Sequence, residues 1–212
     1  QRPDLLENKK PRSINMVQIG KALNDKELNP PIKHLFVWNS DIANCTPDSS
    51  NVRDGLKRKD LFTVVHDAVW TDSCMYADVV LPADTQLEHT DLHAPYGHYY
   101  FSLTQQAIKP LGESKSNQDL FRELAKQMGY KEKCFKESDE SMIKNMIDPK
   151  YNPLFKGVTY EKLKKNGWVK GDVNNPRRNY LKTGWPTRDK KIQIYSEDTK
   201  KIGLGAYPSY TE

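Results

Sequence analysis

The sequence lacks the features that mark membrane and secreted proteins. No apolar run approaches the roughly 20 residues that a membrane-spanning helix requires. The N-terminal segment QRPDLLENKKPRS is polar and has no apolar signal-peptide core. We therefore expect no membrane span. The sequence favours a cytoplasmic location, since a periplasmic one would need a signal sequence upstream of residue 1.

The sequence also has few cysteines, only a modest net charge and no glycine-rich phosphate-binding motif. The three cysteines, Cys45, Cys74 and Cys134, form no CxxC pair, so a metal or cluster would need ligands from outside this segment. The net charge of +5 comes without an arginine-rich arm or a basic–aromatic RNA-binding motif, so nucleic acid is not an expected partner. Neither GxGxxG nor GxxxxGK[ST] occurs, so a bound phosphate would have to use the turn after Trp38.

What the sequence does contain is an ordered set of β-rich runs, of which the stretch from Leu61 to Pro82 is the clearest. It predicts a strand over Leu61–Val65, a short helix over Asp72–Ala77 that Thr71 caps, and a strand over Val79–Leu81. Near-continuous apolar runs separated by helical pieces are typical of parallel strands buried on both faces.

An earlier run, His34–Trp38, has the same character and leads through a predicted helix near Ser50–Arg58 to the strand at Leu61. A crossover of this length predicts that the two strands are parallel neighbours. The predicted fold class is therefore α/β, with a three-layer, mostly parallel and Rossmann-like sheet flanked by helices, followed by an irregular C-terminal extension.

The remaining patterns are less regular. They predict helices over Ile14–Leu23 (capped by Ser13), Asp119–Met128 (capped by Ser116 or Asn117 and ended by Gly129), Ser141–Ile147 and Tyr160–Lys165, and strands over Tyr99–Leu103 and Lys191–Tyr195. Because the tail has few apolar residues, we assign residues 1–147 to the α/β domain. Residues 148–212 are assigned to an irregular extension and linker towards a further, C-terminal domain.

Polar side chains follow the two predicted strands, and in parallel sheets ligands bind just past the carboxyl ends of strands. His66 and Asp67 stand at that point after the second strand. The Asp67 carboxylate can accept paired hydrogen bonds from a ribose or from the amidine face of guanine. The alternative is that Asp67 caps the turn at Trp70–Thr71, and the residues alone leave both open.

A metal site is not predicted. The candidate metal ligands are His66, His89, His93 and His98. Zinc needs three or four convergent ligands, and Pro95 and Gly97 disfavour a helix in that segment. A structural or ligand-contacting role is favoured for these histidines. Glu88 and Asp91 lie in a polar loop, where we expect them to face water.

Four elements in order resemble the molybdopterin oxidoreductases of the dimethyl sulfoxide reductase family, which includes formate dehydrogenases and nitrate reductases. These elements are the strand ending in Asn39–Ser40, the VVHD…T…ADVVLP run, the LEH element and the G-E-x-x-S-N turn before the helix at Asp119. The resemblance covers about Ile32–Tyr130. Lys190–Gly203 is more loosely similar to the linker that follows in the family.

The resemblance implies a bis(molybdopterin guanine dinucleotide) cofactor carrying molybdenum or tungsten, with this chain as the third of four domains. Asn39 would contact the phosphate or ribose, and His66 and Asp67 the nucleoside. His89 stands where relatives often have Lys or Gly, and Asn117 where some have Asp. The cofactor-binding positions that the resemblance implies are Asn39, Ser40, Asp41, His66, Asp67, Thr71, His89 and Asn117.

The family's N-terminal iron–sulfur cysteine motif and its metal ligand have no counterpart in this sequence. The resemblance therefore implies part of a larger enzyme, and we expect the isolated chain to be inactive and to carry no metal or cofactor. Expected partners are the remaining domains of the same polypeptide and iron–sulfur electron-transfer subunits. The alternatives are a stand-alone nucleotide-binding α/β module acting through protein partners, or a structural subunit whose strand-end residues are caps. The full open reading frame distinguishes the part of a larger enzyme from the stand-alone module.

Overall fold

Two three-stranded sheets, one parallel and one antiparallel, organise the protein, whose computed structural model describes residues 11–173 and 179–210. The strands are β1 (His34–Trp38), β2 (Phe62–Asp67), β3 (Val79–Pro82), β4 (Asp91–His93), β5 (Tyr100–Thr104) and β6 (Trp168–Lys170). The helices are α1 (Ile19–Asn24), α2 (Ile42–Cys45), α3 (Ser49–Leu56), α4 (Asn117–Gln127), α5 (Asp139–Met146), α6 (Tyr160–Asn166), α7 (Asn179–Thr183) and α8 (Glu197–Lys201). Short 3₁₀ helices cover Met16–Gln18, Asp72–Tyr76, Lys133–Lys136 and Pro153–Phe155.

The parallel sheet confirms the predicted α/β fold. Its order is β1-β2-β3, and β2 pairs in parallel with both neighbours. β2 extends two residues beyond the predicted end at Val65, because His66 pairs with Trp38 on one side and Leu81 on the other. His66 and Asp67 are therefore the last residues of the strand rather than the first residues after it.

Helices cover both faces of the parallel sheet. On one face, α1 and α3 bury an apolar cluster against Leu35. The two helices approach so closely that a Cβ at Gly55 would lie 2.5 Å from the Cβ of Leu23. On the other face, α4 packs the Phe121 ring 5.5 Å from Phe36 and 5.6 Å from Trp38. The result is a helix–sheet–helix sandwich.

The antiparallel sheet was not predicted. The strand expected at Tyr99–Leu103 is not an outer strand of the parallel sheet; it is β5, the centre of a second sheet between β4 and β6. Its core combines residues from β4, β5, α5 and the segment after 148. The buried members are Leu92, Phe101, Leu103, Ile143, Ile147, Phe155, Val158, Tyr160 and Leu163.

This second core includes residues of the segment that the sequence analysis assigned to the C-terminal extension. The segment after Asp148 has too few apolar residues for a core of its own, but Phe155 and Leu163 complete one with the strands. The cluster thus includes residues on both sides of 147/148, and the domain assignment itself stays a prediction. Of the residues in the two assigned domains, 1–10, 174–178 and 211–212 lie outside the described ranges.

Two further local predictions were wrong. The helix expected over Ile14–Leu23 begins later, because Asn15 rather than Ser13 provides the first cap, accepting a hydrogen bond from the N–H of Val17 at 3.2 Å. The segment Lys191–Tyr195 is not a strand. Its isoleucines are largely exposed, and alternation cannot make a strand where no neighbouring strand in the described part of the chain pairs with it.

The predicted ends of α4 are confirmed. The Ser116 hydroxyl accepts a hydrogen bond from the N–H of Asp119 at 3.1 Å, which makes Ser116 the N-cap. Gly129 follows the helix with φ +80°, a left-handed conformation that glycine adopts without strain. No helix in residues 11–173 or 179–210 is long and apolar enough to cross a bilayer.

Candidate functional site

The carboxyl ends of the three parallel strands meet at one edge of the sheet. The N–H of Asn39, just after β1, donates to the main-chain oxygen of His66 in β2 at 3.1 Å. The main-chain oxygen of Asp67 accepts from the N–H of Ala83, just after β3, at 3.0 Å. Lys115 pairs in parallel with Ala83, which brings the start of α4 to the same edge. Of the eight residues predicted from the sequence, Asn39, His66 and Asp67 take part in these contacts, and Ser40, Asp41 and Asn117 lie within two residues of one. Thr71 and His89 lie further along the loops after β2 and β3.

Asn39 and Ser40 form the turn that leaves β1. Asn39 has φ +49°, in the left-handed region that Asn tolerates better than most residues. Both side chains are exposed, and neither makes a side-chain hydrogen bond within the described ranges. Their amide and hydroxyl groups are therefore available as donors to a ligand.

The carboxylate of Asp41 is engaged by protein groups instead. Its Oδ1 accepts from the Ser73 hydroxyl at 2.7 Å and the Ser73 N–H at 3.1 Å, and its Oδ2 accepts from Asn44 at 2.9 Å. Burial raises the pKa of Asp41, but these hydrogen bonds outweigh it and hold the pKa below its ordinary value. Asp41 thus fixes the turn after β1 to the 3₁₀ helix after β2, while its contact with a ligand stays a prediction.

His66 is fully buried in β2. Its Nδ1 lies 3.2 Å from the carbonyl oxygen of Leu81. Because a carbonyl only accepts, this contact assigns the proton to Nδ1 and leaves Nε2 as an acceptor. Nε2 is buried and has no hydrogen-bond partner within the described part of the chain. A ligand would reach this nitrogen through a bridging water or after a neighbouring side chain moves.

Asp67 ends β2 with a half-buried side chain. Its Oδ1 accepts from the N–H of Val69 at 3.2 Å, which forms a local turn. The turn therefore uses one carboxylate oxygen and involves Val69 rather than Trp70 or Thr71. The second oxygen has no partner among the described residues and can accept from a ligand.

Thr71 does not cap in the predicted way. It precedes the 3₁₀ helix Asp72–Tyr76, but its hydroxyl makes no hydrogen bond to a backbone N–H at the helix start. The hydroxyl lies 3.5 Å from the sulfur of Cys74 instead, while the Thr71 carbonyl accepts from the Cys74 N–H at 3.0 Å. A direct role towards a ligand stays a prediction.

His89 pairs with a carboxylate that the sequence did not single out. Its Nδ1 lies 3.0 Å from Oδ1 of Asp84, whose side chain is 4% exposed. Burial raises the pKa of Asp84, and the nearby His89 works in the opposite direction. The turn after β3 is thus held by a pair of which the Asp84 side chain is buried and the His89 side chain is partly exposed. The signal available in the sequence was a carboxylate two residues after Pro82, matching Asp67 after β2.

Glu88 does not face water, contrary to the expectation. It is 6% exposed, and its carboxylate accepts from the N–H and hydroxyl of Thr85 at 2.7 and 2.8 Å and from the N–H of Leu111 at 2.6 Å. Hydrogen bonds from the Thr85 backbone and hydroxyl and from Leu111 lower the pKa of Glu88. It joins the loop after β3 to the loop before α4, which is a structural role.

Asn117 is the first residue of α4. Its Oδ1 is buried without a hydrogen-bond partner in the described ranges, as is His66 Nε2. Buried acceptors without partners are rare in folded proteins and point to a group that completes them. With Asp67, they give this edge three acceptors, while Asn39 and Ser40 supply donors. This combination suits a nucleotide, with phosphate at the donors and base or ribose at the acceptors. Within the described residues, no group of three His, Cys, Asp or Glu side chains could hold a metal ion.

Comparison with known proteins identifies the family. The family model described as molybdopterin oxidoreductase matches residues 12–127, which include both the sheet edge and α4. The probable oxidoreductase YoaE of Bacillus subtilis is 43% identical over 211 residues, covering 100% of this chain and 30% of the relative. The F420-dependent formate dehydrogenase subunit alpha of Methanocaldococcus jannaschii is 33% identical over 146 residues, covering 68% of this chain and 21% of the relative.

A solved structure agrees in fold. Acetylene hydratase from Pelobacter acetylenicus superposes with a TM-score of 0.69 at 26% identity, over 93% of this chain and 26% of that one. The chain thus spans under a third of the length of these relatives. It belongs to the molybdopterin oxidoreductase family and corresponds to one part of such enzymes.

Proposed function

We propose that this chain holds one molybdopterin guanine dinucleotide of a bis-dinucleotide cofactor, with molybdenum or tungsten, in a larger oxidoreductase. The observation that supports this role is the sheet edge itself, whose segments carry the free oxygen of Asp67, the unpartnered Asn117 Oδ1 and the exposed side chain of Asn39. When bound, the cofactor supplies the redox chemistry of its metal.

The chain's own residues bind and orient the dinucleotide. The Asn39–Ser40 turn would take the phosphates, since the side-chain amide of Asn39 and the hydroxyl of Ser40 are exposed and make no hydrogen bond within the described ranges. Asp67 would accept from the base or ribose through the oxygen that its local turn leaves unused. Asp41 and the pair of His89 with Asp84 hold the surrounding turns in place.

Substrate chemistry is assigned to other parts of the enzyme. The relatives are more than three times as long as the matched part, and a metal ligand set is absent from the described residues here. We propose that the remaining domains of the same polypeptide complete the active site, and that iron–sulfur subunits exchange electrons with it.

Replacement of Asp67 in the complete enzyme tests the proposal. Asp67→Asn keeps an oxygen for the Val69 turn but changes an acceptor to a donor, so cofactor occupancy should fall while the melting temperature of the apo-protein stays unchanged. A hydrogen bond to a charged acceptor contributes about 1.5–3 kcal/mol, which corresponds to roughly a tenfold to hundredfold loss in affinity. Asp67→Ala should reduce occupancy at least as much.

Asp91→Asn is the matched control, because Asp91 is a half-buried carboxylate in β4 of the other sheet. It should leave occupancy unchanged. If Asp67→Asn keeps full occupancy but lowers the apo melting temperature, Asp67 is a structural cap and the assignment is wrong.

A further inference from the structure

We infer that Trp38 is a stacking surface for the base of the bound nucleotide, a role that deepens the proposed function and rests on it. Trp38 is the last residue of β1, directly before the Asn39–Ser40 turn. It pairs in register with His66. Its side chain is therefore on the sheet face of His66, at the edge where the candidate site lies.

The indole ring of Trp38 is held in place by two other rings. Phe121 of α4 meets it edge-on, with centroids 5.6 Å apart and planes at 83°, and Phe36 lies 6.3 Å away at 59°. Even so, half of Trp38 (50%) remains exposed to solvent. A large aromatic side chain that is already ordered loses little conformational freedom on binding a second flat ring.

The surroundings of Trp38 indicate which flat ring would fit. Asn117 lies one helical turn before Phe121, hence on the same side of α4 and nearer the sheet edge. The unpartnered acceptors Asn117 Oδ1 and His66 Nε2 therefore lie on the same face of the sheet as the indole. Acceptors on the same sheet face as an exposed aromatic side chain favour a base with N–H donors on its edge, which would reach these buried atoms through a bridging water or after a neighbouring side chain moves. Guanine, with N1–H and N2–H₂, meets that requirement better than adenine, whose N1 is an acceptor.

The other exposed tryptophans lack this setting. Trp168 belongs to β6 and packs edge-on against Tyr100 on the antiparallel sheet, with centroids 5.3 Å apart. Trp185 stacks against Tyr180 at 4.0 Å. Trp70 is 70% exposed on the loop after β2 and has no ring contact in the described part of the chain. Trp168, itself 56% exposed, provides a matched control.

The experiment titrates the chain with guanosine diphosphate, the nucleotide half of the dinucleotide, and measures affinity by calorimetry and quenching of tryptophan fluorescence. Base–aromatic stacking contributes enough that removing the ring typically weakens binding about fivefold to a hundredfold. Trp38→Ala should show such a loss, Trp38→Phe should keep most of the affinity, and Trp168→Ala should match wild type. Quenching should be largely lost in Trp38→Phe and retained in Trp168→Ala. Ribose 5-phosphate, which lacks a base, should bind wild type and Trp38→Ala equally.

The outcomes separate the two proposals. If wild type binds no guanosine diphosphate at millimolar concentration, the proposed function fails and the stacking role with it. If wild type binds but Trp38→Ala binds equally well, only the stacking role is wrong. If Trp38→Ala does not fold, the Trp38→Phe variant decides. Tight binding of guanosine diphosphate without the wild-type quenching of tryptophan fluorescence supports stacking on Trp38. Unchanged quenching in Trp38→Phe overturns the stacking role.

Discussion

The two sheets of this protein are packed with different kinds of side chain. The antiparallel sheet closes over a cluster of buried side chains in which the only polar side-chain atom is the hydroxyl of Tyr160. The parallel sheet and its loops hold the buried polar side chains of the described ranges. These are Thr46, Thr63, His66, Ser73, Glu88 and Ser116.

The difference indicates what each region does. Burying a polar group costs free energy unless it finds a partner, so a region designed for stability alone would avoid such groups. The antiparallel sheet does so, and among the described residues its strands hold no buried side-chain acceptor without a partner. The parallel sheet has several of them close to its carboxyl edge, where Asp41 and Glu88 fix loops and where His66 and Asn117 each retain an unpartnered acceptor. On the proposed function, stability and ligand positioning are thus assigned to different sheets.

The largest effect should come from the apolar cluster. Leu163 is fully buried there, so Leu163→Ala should lower the free energy of unfolding by about 2–5 kcal/mol. Denaturant unfolding measures this, with Leu204→Ala, at a 55% exposed position, as a control that should change little. Affinity for guanosine diphosphate in native conditions should be unchanged. A loss of affinity in folded Leu163→Ala would contradict the division between the regions.

A smaller and pH-dependent effect is expected at the parallel sheet. Asp41→Ala removes the carboxylate that accepts from the Ser73 N–H and hydroxyl. It should lower the free energy of unfolding by about 1–3 kcal/mol near neutral pH, as measured by denaturant unfolding. Because the folded-state pKa of Asp41 is lowered, the stability advantage of wild type over Asp41→Ala should be complete at pH values above the ordinary pKa of about 4. That advantage should shrink as the pH falls through the folded-state pKa. A stability advantage that grows on acidification would show that folding raises the pKa of Asp41 rather than lowering it.

The smallest effect compares two helix caps. Ser116 caps α4 beside the site, and Ser138 caps α5 beside the antiparallel sheet, each accepting from the backbone N–H three residues on. Replacing either by Ala should cost about 1 kcal/mol. Only Ser116→Ala should also weaken binding of guanosine diphosphate, because it loosens the helix start that carries Asn117. If Ser116→Ala and Ser138→Ala bind guanosine diphosphate equally well, the start of α4 does not contribute to the site.

The sequence was sufficient for features that depend on local pattern. The β-rich runs at His34 and Leu61, their crossover, and a cap of α4 at Ser116 or Asn117 were all predicted, since period, length and capping chemistry are visible in neighbouring residues. The family resemblance was confirmed by the comparisons.

What the sequence did not show depends on distant pairing. β4 and β6 have three residues each, too short for a periodic signal, and β6 pairs with β5 across about 70 positions. The burial of His66 follows from strand pairing on both sides. The partners of Asp84 and Glu88 likewise became visible only in the folded chain, as did the ring contacts that hold Trp38.

The central claim is that the carboxyl edge of the parallel sheet is the nucleotide site, and amide NMR of the ¹⁵N-labelled chain titrated with guanosine diphosphate tests it most directly. Shifts should concentrate in the segments that meet at that edge: 39–41, 67–71, 83–89 and 116–117. Amides of β5, β6 and α6 should be unaffected. Shifts centred on the antiparallel sheet, or none at saturating nucleotide, would contradict the account.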